Sequence, residues 1–249
     1  MRYFLSLAYR GSRYAGWQRQ PNALSVQEVL EKALSVLLRQ PVEVVGCGRT
    51  DAGVHARYYV AHFDAEGDLP GTFLQNINGI LPSDIAVYTV KAMHVNAHAR
   101  YDATERQYRY HIALRKDPFA LETAWLYPRA ALIDINVLQA VADLLPQYEA
   151  FLPFCRTDGG NDHYRCTIRL ARWEYRPGDE QLVFHITANR FLRGMVRLIV
   201  GTCVAVGHGT LSLEAVRQAL EEQKPLPQAL SAPAQGLALT DVRYPYLIF

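Results

Sequence analysis

Residues 25–37, Ser25-Val26-Gln27-Glu28-Val29-Leu30-Glu31-Lys32-Ala33-Leu34-Ser35-Val36-Leu37, are the most legible stretch of this chain. Val26, Val29, Leu30, Ala33, Leu34 and Leu37 recur at three- and four-residue intervals, which lays one apolar stripe along a helix. Ser25 and Glu28 have the S-x-x-E spacing of a capping box, which marks where that helix opens. Upstream, Tyr3 to Tyr9 alternates as a strand does. Downstream, Pro41 to Val45 reads as a strand leading into the glycine-rich loop Gly46 to Gly53, with Arg57 to Phe63 as its return strand. Thr72 to Leu81 suggests a second helix and Ile85 to Ala92 a further strand.

That order, strand-helix-strand-strand-helix-strand, resembles a ferredoxin-like unit. A strand from Thr104 to Leu114 then restarts the pattern. After it come a helix around Ile135 to Leu145 and a hairpin turning at Pro177-Gly178-Asp179-Glu180. Helices from about Leu192 to Gly207 and over Ser212 to Glu222 follow, and a strand from Leu237 to Tyr244 completes the order. The expectation is two α/β halves, 1–103 and 104–249, meeting near Tyr101–Thr104.

The chain has 249 residues, half of them hydrophobic and a fifth charged, enough for a packed core. No run approaches the ~18 apolar residues of a membrane helix, since Met195 to Val206 is broken by Arg197. The first apolar stretch is too short for a signal peptide, which makes the cytoplasm the default location. A net charge of +2 names no partner by itself, but 22 of the 26 basic residues are arginine. A guanidinium offers phosphate a planar fork of donors and stacks on bases, so an RNA partner is permitted, as is a bias of codon usage. The four cysteines (47, 155, 166 and 203) form no C-x-x-C pair, and neither zinc nor a disulfide framework is expected.

The loop Gly46-Cys47-Gly48-Arg49-Thr50-Asp51-Ala52-Gly53-Val54-His55-Ala56 carries the chemistry. Asp51 lies among glycines, which let a ligand approach the backbone, and a neighbouring cation favours the charged form of a carboxylate. Such a carboxylate serves as nucleophile or base, or equally as a plain turn residue.

Gly48 to Ala56 resembles the signature loop of the TruA-type tRNA pseudouridine synthases. Tyr9-Arg10-Gly11, Tyr14 and Gly16-Trp17-Gln18 resemble that family's N-terminal loop, and Arg106-Gln107-Tyr108-Arg109-Tyr110 its R-x-Y-x-Y strand. Phe191, Met195-Val196-Arg197 and Gly201 are similar to its C-terminal helix motif. Ala232-Pro233, Gly236-Leu237, Val242 and Tyr244-Pro245 are similar to its closing strand. The chain departs from the pattern at Tyr58-Tyr59, where Gly-Gln is common, and at Cys47, where a smaller residue is common.

The resemblance implies an α+β fold of two ferredoxin-like halves sharing a mixed, mainly antiparallel sheet. It implies isomerisation of uridine to pseudouridine on the 3′ side of the tRNA anticodon stem-loop, without cofactor or metal, by a cytoplasmic homodimer. Asp51 is then the catalytic carboxylate, attacking C1′ or the uracil ring or taking the 2′ proton. Tyr108 becomes an aromatic platform that stacks on the uracil and assists loss of the C5 proton, or else a core strand residue. Arg197, alone in an apolar helix, needs a partner; the family pattern suggests Asp51, and the alternative is a side chain reaching out from the helix edge. Arg49 beside the carboxylate helps hold the displaced backbone of an extruded uridine, or braces its own loop. Arg10, Arg13, Trp17 and Arg19 read as RNA contacts, although Tyr14 and Trp17 equally suit loop anchors. His55, at the start of a strand, reads as structural ahead of an acid–base role.

Overall fold

The computed structural model describes residues 1–156, 163–228 and 230–246. The chain divides into two compact units, Met1–Glu105 with Leu239–Phe249, and Arg106–Ala238. The first division falls two residues beyond the expected 103/104 boundary. The closing strand, expected in the second half, returns for most of its length to the first.

The first unit runs β1 (Arg2–Tyr9), α1 (Val26–Leu38), β2 (Val45–Gly46), β3 (His55–Asp64), α2 (Phe73–Ile80) and β4 (Ile85–Met93). β1 pairs antiparallel with both β3 and β4, giving the order β4-β1-β3, and the short β2 pairs with β3 off this path. β1 is therefore a central strand, and Phe4, Leu5 and Leu7 are fully buried although they point to alternating faces. The apolar stripe of α1 delivers Val26, Leu30, Ala33 and Leu34 to the core. Half of the capping box forms: Ser25 accepts from the Glu28 amide, while the Glu28 carboxylate turns outward to Lys32.

The expected strand Pro41–Val45 shrinks to the two residues of β2. Its amides are taken earlier: Val42 donates to Ser35 Oγ at 3.0 Å and Val44 to Glu31 Oε1 at 3.1 Å, both on α1.

The second unit follows with β5 (Glu105–Ala113, from Arg106 on), the short β6 (Trp125–Leu126), α3 (Ile135–Leu144), β7 (Ile168–Arg176), β8 (Gln181–Ala188), α4 (Met195–Gly207) and α5 (Leu213–Glu222). β5 pairs antiparallel with β8, β8 with β7, and β6 runs parallel to β5. The strands are thus mostly antiparallel and, with five α-helices among the described residues, give an α+β fold. α4 is buried on all sides except near Arg197, as a helix apolar all round should be. It starts at Met195 rather than Leu192 because Gly194 takes a left-handed φ of 71°, which sets the cap. The last strand, β9 (Leu237–Arg243), lies beside β3, and the chain from Leu239 belongs to the first unit. Beyond it, Tyr244 donates its hydroxyl to the Ala99 carbonyl and Tyr246 to Asp102, tying this segment back to the first unit.

Candidate active site

In the first unit the loop between β2 and β3 carries Asp51. Cys47 makes the last rung of the ladder, its amide donating to the Val60 carbonyl at 2.8 Å. From Gly48 the backbone leaves β3 and its polar groups find other partners. Tyr59 donates its hydroxyl to the Gly48 carbonyl. The Trp17 amide donates to the Thr50 carbonyl at 3.2 Å, and the Gly53 amide to the Tyr14 carbonyl at 3.2 Å. The hydroxyls of Tyr9 and Thr50 share a buried hydrogen bond of 2.9 Å. Asp51 itself is half-buried, and its carbonyl accepts the Val54 amide at 3.1 Å, closing the turn.

The residues around Gly16 press directly on this loop. Gly16 has a φ of 91°, and a Cβ there would lie 2.3 Å from the Thr50 carbonyl oxygen. Only glycine allows the two loops to approach so closely.

The N-terminal loop divides the expected RNA contacts into two kinds. Arg10, Arg13 and Arg19 are exposed. Arg13 pairs with Asp84 at 3.3 Å, and Arg19 with Glu31 at 3.7 Å. Trp17 is only 2% exposed and stacks on Tyr59 with ring centroids 4.1 Å apart, so its expected role as an exposed RNA contact is corrected to that of a loop anchor. Mutual burial of two large aromatic surfaces favours this inward placement.

Arg49 is exposed and donates to Gln18 Oε1 at 2.8 Å. His55 is buried, and its Nδ1 accepts the Gly11 amide at 3.0 Å, a structural use of the ring. Tyr14 donates to buried Asp84 at 2.6 Å; burial, then that hydrogen bond, push its phenol far up, so it stays protonated.

The second unit builds a different surface. Tyr108 on β5 pairs with Ile186 and meets Phe191 edge-on, centroids 5.1 Å apart. Two residues on, buried Tyr110 donates to the Pro233 carbonyl at 2.8 Å, and burial drives its phenol far up. Arg197 of α4 donates through Nε to the Ala232 carbonyl at 2.7 Å, and its own carbonyl accepts the Ala232 amide at 3.0 Å. Gly201, one turn further, lets this segment through: a Cβ there would lie 1.7 Å from the Leu230 carbonyl oxygen. Residues 230–236 thus clasp α4 and β5 and hold Arg197 near its first turn. Periodicity places Tyr9 and Tyr110 on strands but assigns no hydrogen-bonding role to Tyr9, Tyr59, Tyr110 or the Ala232 carbonyl; the glycines at 11, 16, 201 and 236 were the available signal of close backbone approach.

A family model described as tRNA pseudouridine synthase matches residues 6–102 and 149–245. The chain belongs to the tRNA pseudouridine synthase family. It is an isomerase that converts uridine to pseudouridine in tRNA. A tRNA pseudouridine synthase A of Porphyromonas gingivalis is 45% identical, with 100% of this chain and 99% of that protein covered. Proteins of the same description from Azobacteroides pseudotrichonymphae and Geobacter sulfurreducens are 42% and 41% identical, over 100% and 96% of this chain and 98% of each relative. Asp51 and Arg197 fall inside the spans matched to this synthase family, and Tyr108 falls in the gap between them. No helix among the described residues is long and apolar enough to cross a membrane.

Proposed function

We propose that the uridines modified lie in the anticodon stem-loop of tRNA and that Asp51 is the reacting carboxylate. The observation that carries this reading is the half-buried aspartate on a glycine-hinged loop inside the matched span. The N1–C1′ bond breaks, the uracil turns, a C5–C1′ bond forms, and the C5 proton leaves while N1 gains one. No electrons are exchanged with a second molecule, so Asp51 acts as nucleophile or base without a cofactor.

Tyr108, held edge-on by Phe191, offers its face to a flipped uracil and its hydroxyl to the C5 proton. Arg197, fixed through Ala232, supplies positive charge. Arg49, Arg10, Arg13 and Arg19 contact the RNA backbone; Arg49 and Arg13 are exposed while braced by Gln18 and Asp84. The enzyme works as a cytoplasmic homodimer.

Tritium release from C5-labelled uridine in a short anticodon stem-loop, with no added cofactor or metal, tests the whole reading. Release from the stem-loop supports it. Release from full-length tRNA but from no stem-loop uridine would move the target elsewhere in the molecule.

A further inference from the structure

We propose that Tyr59 and Tyr9 are positioning residues for Asp51, fixing its loop through their buried hydroxyls. This rests on Asp51 being the reacting carboxylate. The loop between β2 and β3 has left the sheet ladder by Gly48, and its groups turn to partners outside the sheet. Two phenols replace that ladder: Tyr59 holds the Gly48 carbonyl, three residues before Asp51, and Tyr9 meets the Thr50 hydroxyl, one residue before it.

Neither phenol is free to swing. Tyr59 is fully buried and stacked on Trp17, and Tyr9 lies 5.5 Å from Tyr59 and 6.1 Å from Trp17. Even a methyl group at Gly46 would lie 2.1 Å from the Tyr59 oxygen. Side chains locked by packing transmit a fixed geometry to the groups they bond, and an ångström of misplacement at a reacting group costs up to about a hundredfold in rate.

The test separates a hydroxyl that aims Asp51 from a ring that merely fills space. Tyr59→Phe keeps the ring on Trp17 and removes the donor. Its kcat is expected to fall about tenfold, with KM and tRNA affinity within about twofold and little change in Tm. Tyr9→Phe repeats the measurement from the second anchor, with kcat again falling at constant KM. A Tyr59→Phe or Tyr9→Phe enzyme within twofold of wild-type kcat overturns the proposal while leaving Asp51 its role. An active Asp51→Asn enzyme overturns the reading of Asp51, and the positioning roles with it.

Discussion

In the second unit, β7 and β8 stay paired through eight residue pairs and are joined by the four residues Pro177–Glu180. In the first, β2 and β3 share two pairs and are joined by the eight residues 47–54. The two hairpins occupy the same place in one strand-helix-strand-strand plan. In both, side chains of the preceding helix serve the edge strand: Gln27 and Glu31 bond Val44, and Gln139 bonds Ala171 and Trp173. The difference teaches what the proposed reactive loop requires. A tight turn satisfies its own backbone, whereas an opened hairpin exposes a carboxylate and must borrow partners, here Tyr59, Tyr9, Trp17 and Tyr14, from elsewhere in its unit.

Each hairpin carries an aspartate, and their substitution should give the widest separation. Asp51→Asn is expected to lower isomerisation by more than about a hundredfold, with Tm nearly unchanged, since an amide keeps the shape but is neither nucleophile nor base. Asp179→Asn, on the tight turn, should leave turnover within about twofold. Equal losses in the tritium-release assay would break the comparison.

Glycine substitution is the next test. Gly16→Ala places a Cβ 2.3 Å from the Thr50 carbonyl in a left-handed backbone, so denaturant melts should show a loss of about 2 kcal/mol or more, together with reduced turnover. Gly178→Ala meets nothing within 4 Å and should shift stability by less than about 0.5 kcal/mol.

The equivalent strands β3 and β8 each carry a buried histidine, His62 and His185. Burial, then Arg2 and His98, lower His62 to about 4, while its Nδ1 accepts the Ala99 amide. Burial also lowers His185, but its hydrogen bond to Glu174 at 2.8 Å opposes the shift. A histidine whose folded pKa lies below the unfolded value near 6.5 loses stability as pH falls through 6.5 toward the folded pKa, and the loss is absent above that window. Melts from pH 7 to 4.5 should show a slope that His62→Gln reduces by about 1 kcal/mol per pH unit, and His185→Gln by less. Identical slopes in wild type and His62→Gln would show that the ring does not stay neutral.

The smallest effect belongs to the exposed arginines. Arg13→Ala should weaken tRNA binding a few-fold and lower the slope of log affinity against log salt by about one, because one fewer phosphate is neutralised. An unchanged salt slope in Arg13→Ala would remove Arg13 from the RNA contacts, and a salt-independent wild-type affinity would contradict phosphate binding altogether.

The helices were legible because apolar spacing and the caps Ser25 and Ser212 are local signals. So was the signature loop, carried by nine contiguous residues. What the sequence hid were long-range exchanges of hydrogen bonds. No periodicity reveals that Ser35 and Glu31 reach across to strip Pro41–Val45 of its ladder. Nor does it show that Trp17, amid arginines, turns inward onto Tyr59. β3 is buried along most of its length, so alternation could not tell half-buried Tyr58 from fully buried Tyr59.

The return of β9 to the first unit has a consequence in time. Residues leave the ribosome in order, so Arg106–Ala238 emerge as one uninterrupted segment. The Asp51 unit, although its first 105 residues emerge earlier, waits for residues from Leu239 onward to cover the open flank of β3. Until then it presents bare strand edge and uncovered aromatic surface, the kind of surface that chaperones hold. The half that carries the proposed chemistry is therefore begun first and finished last.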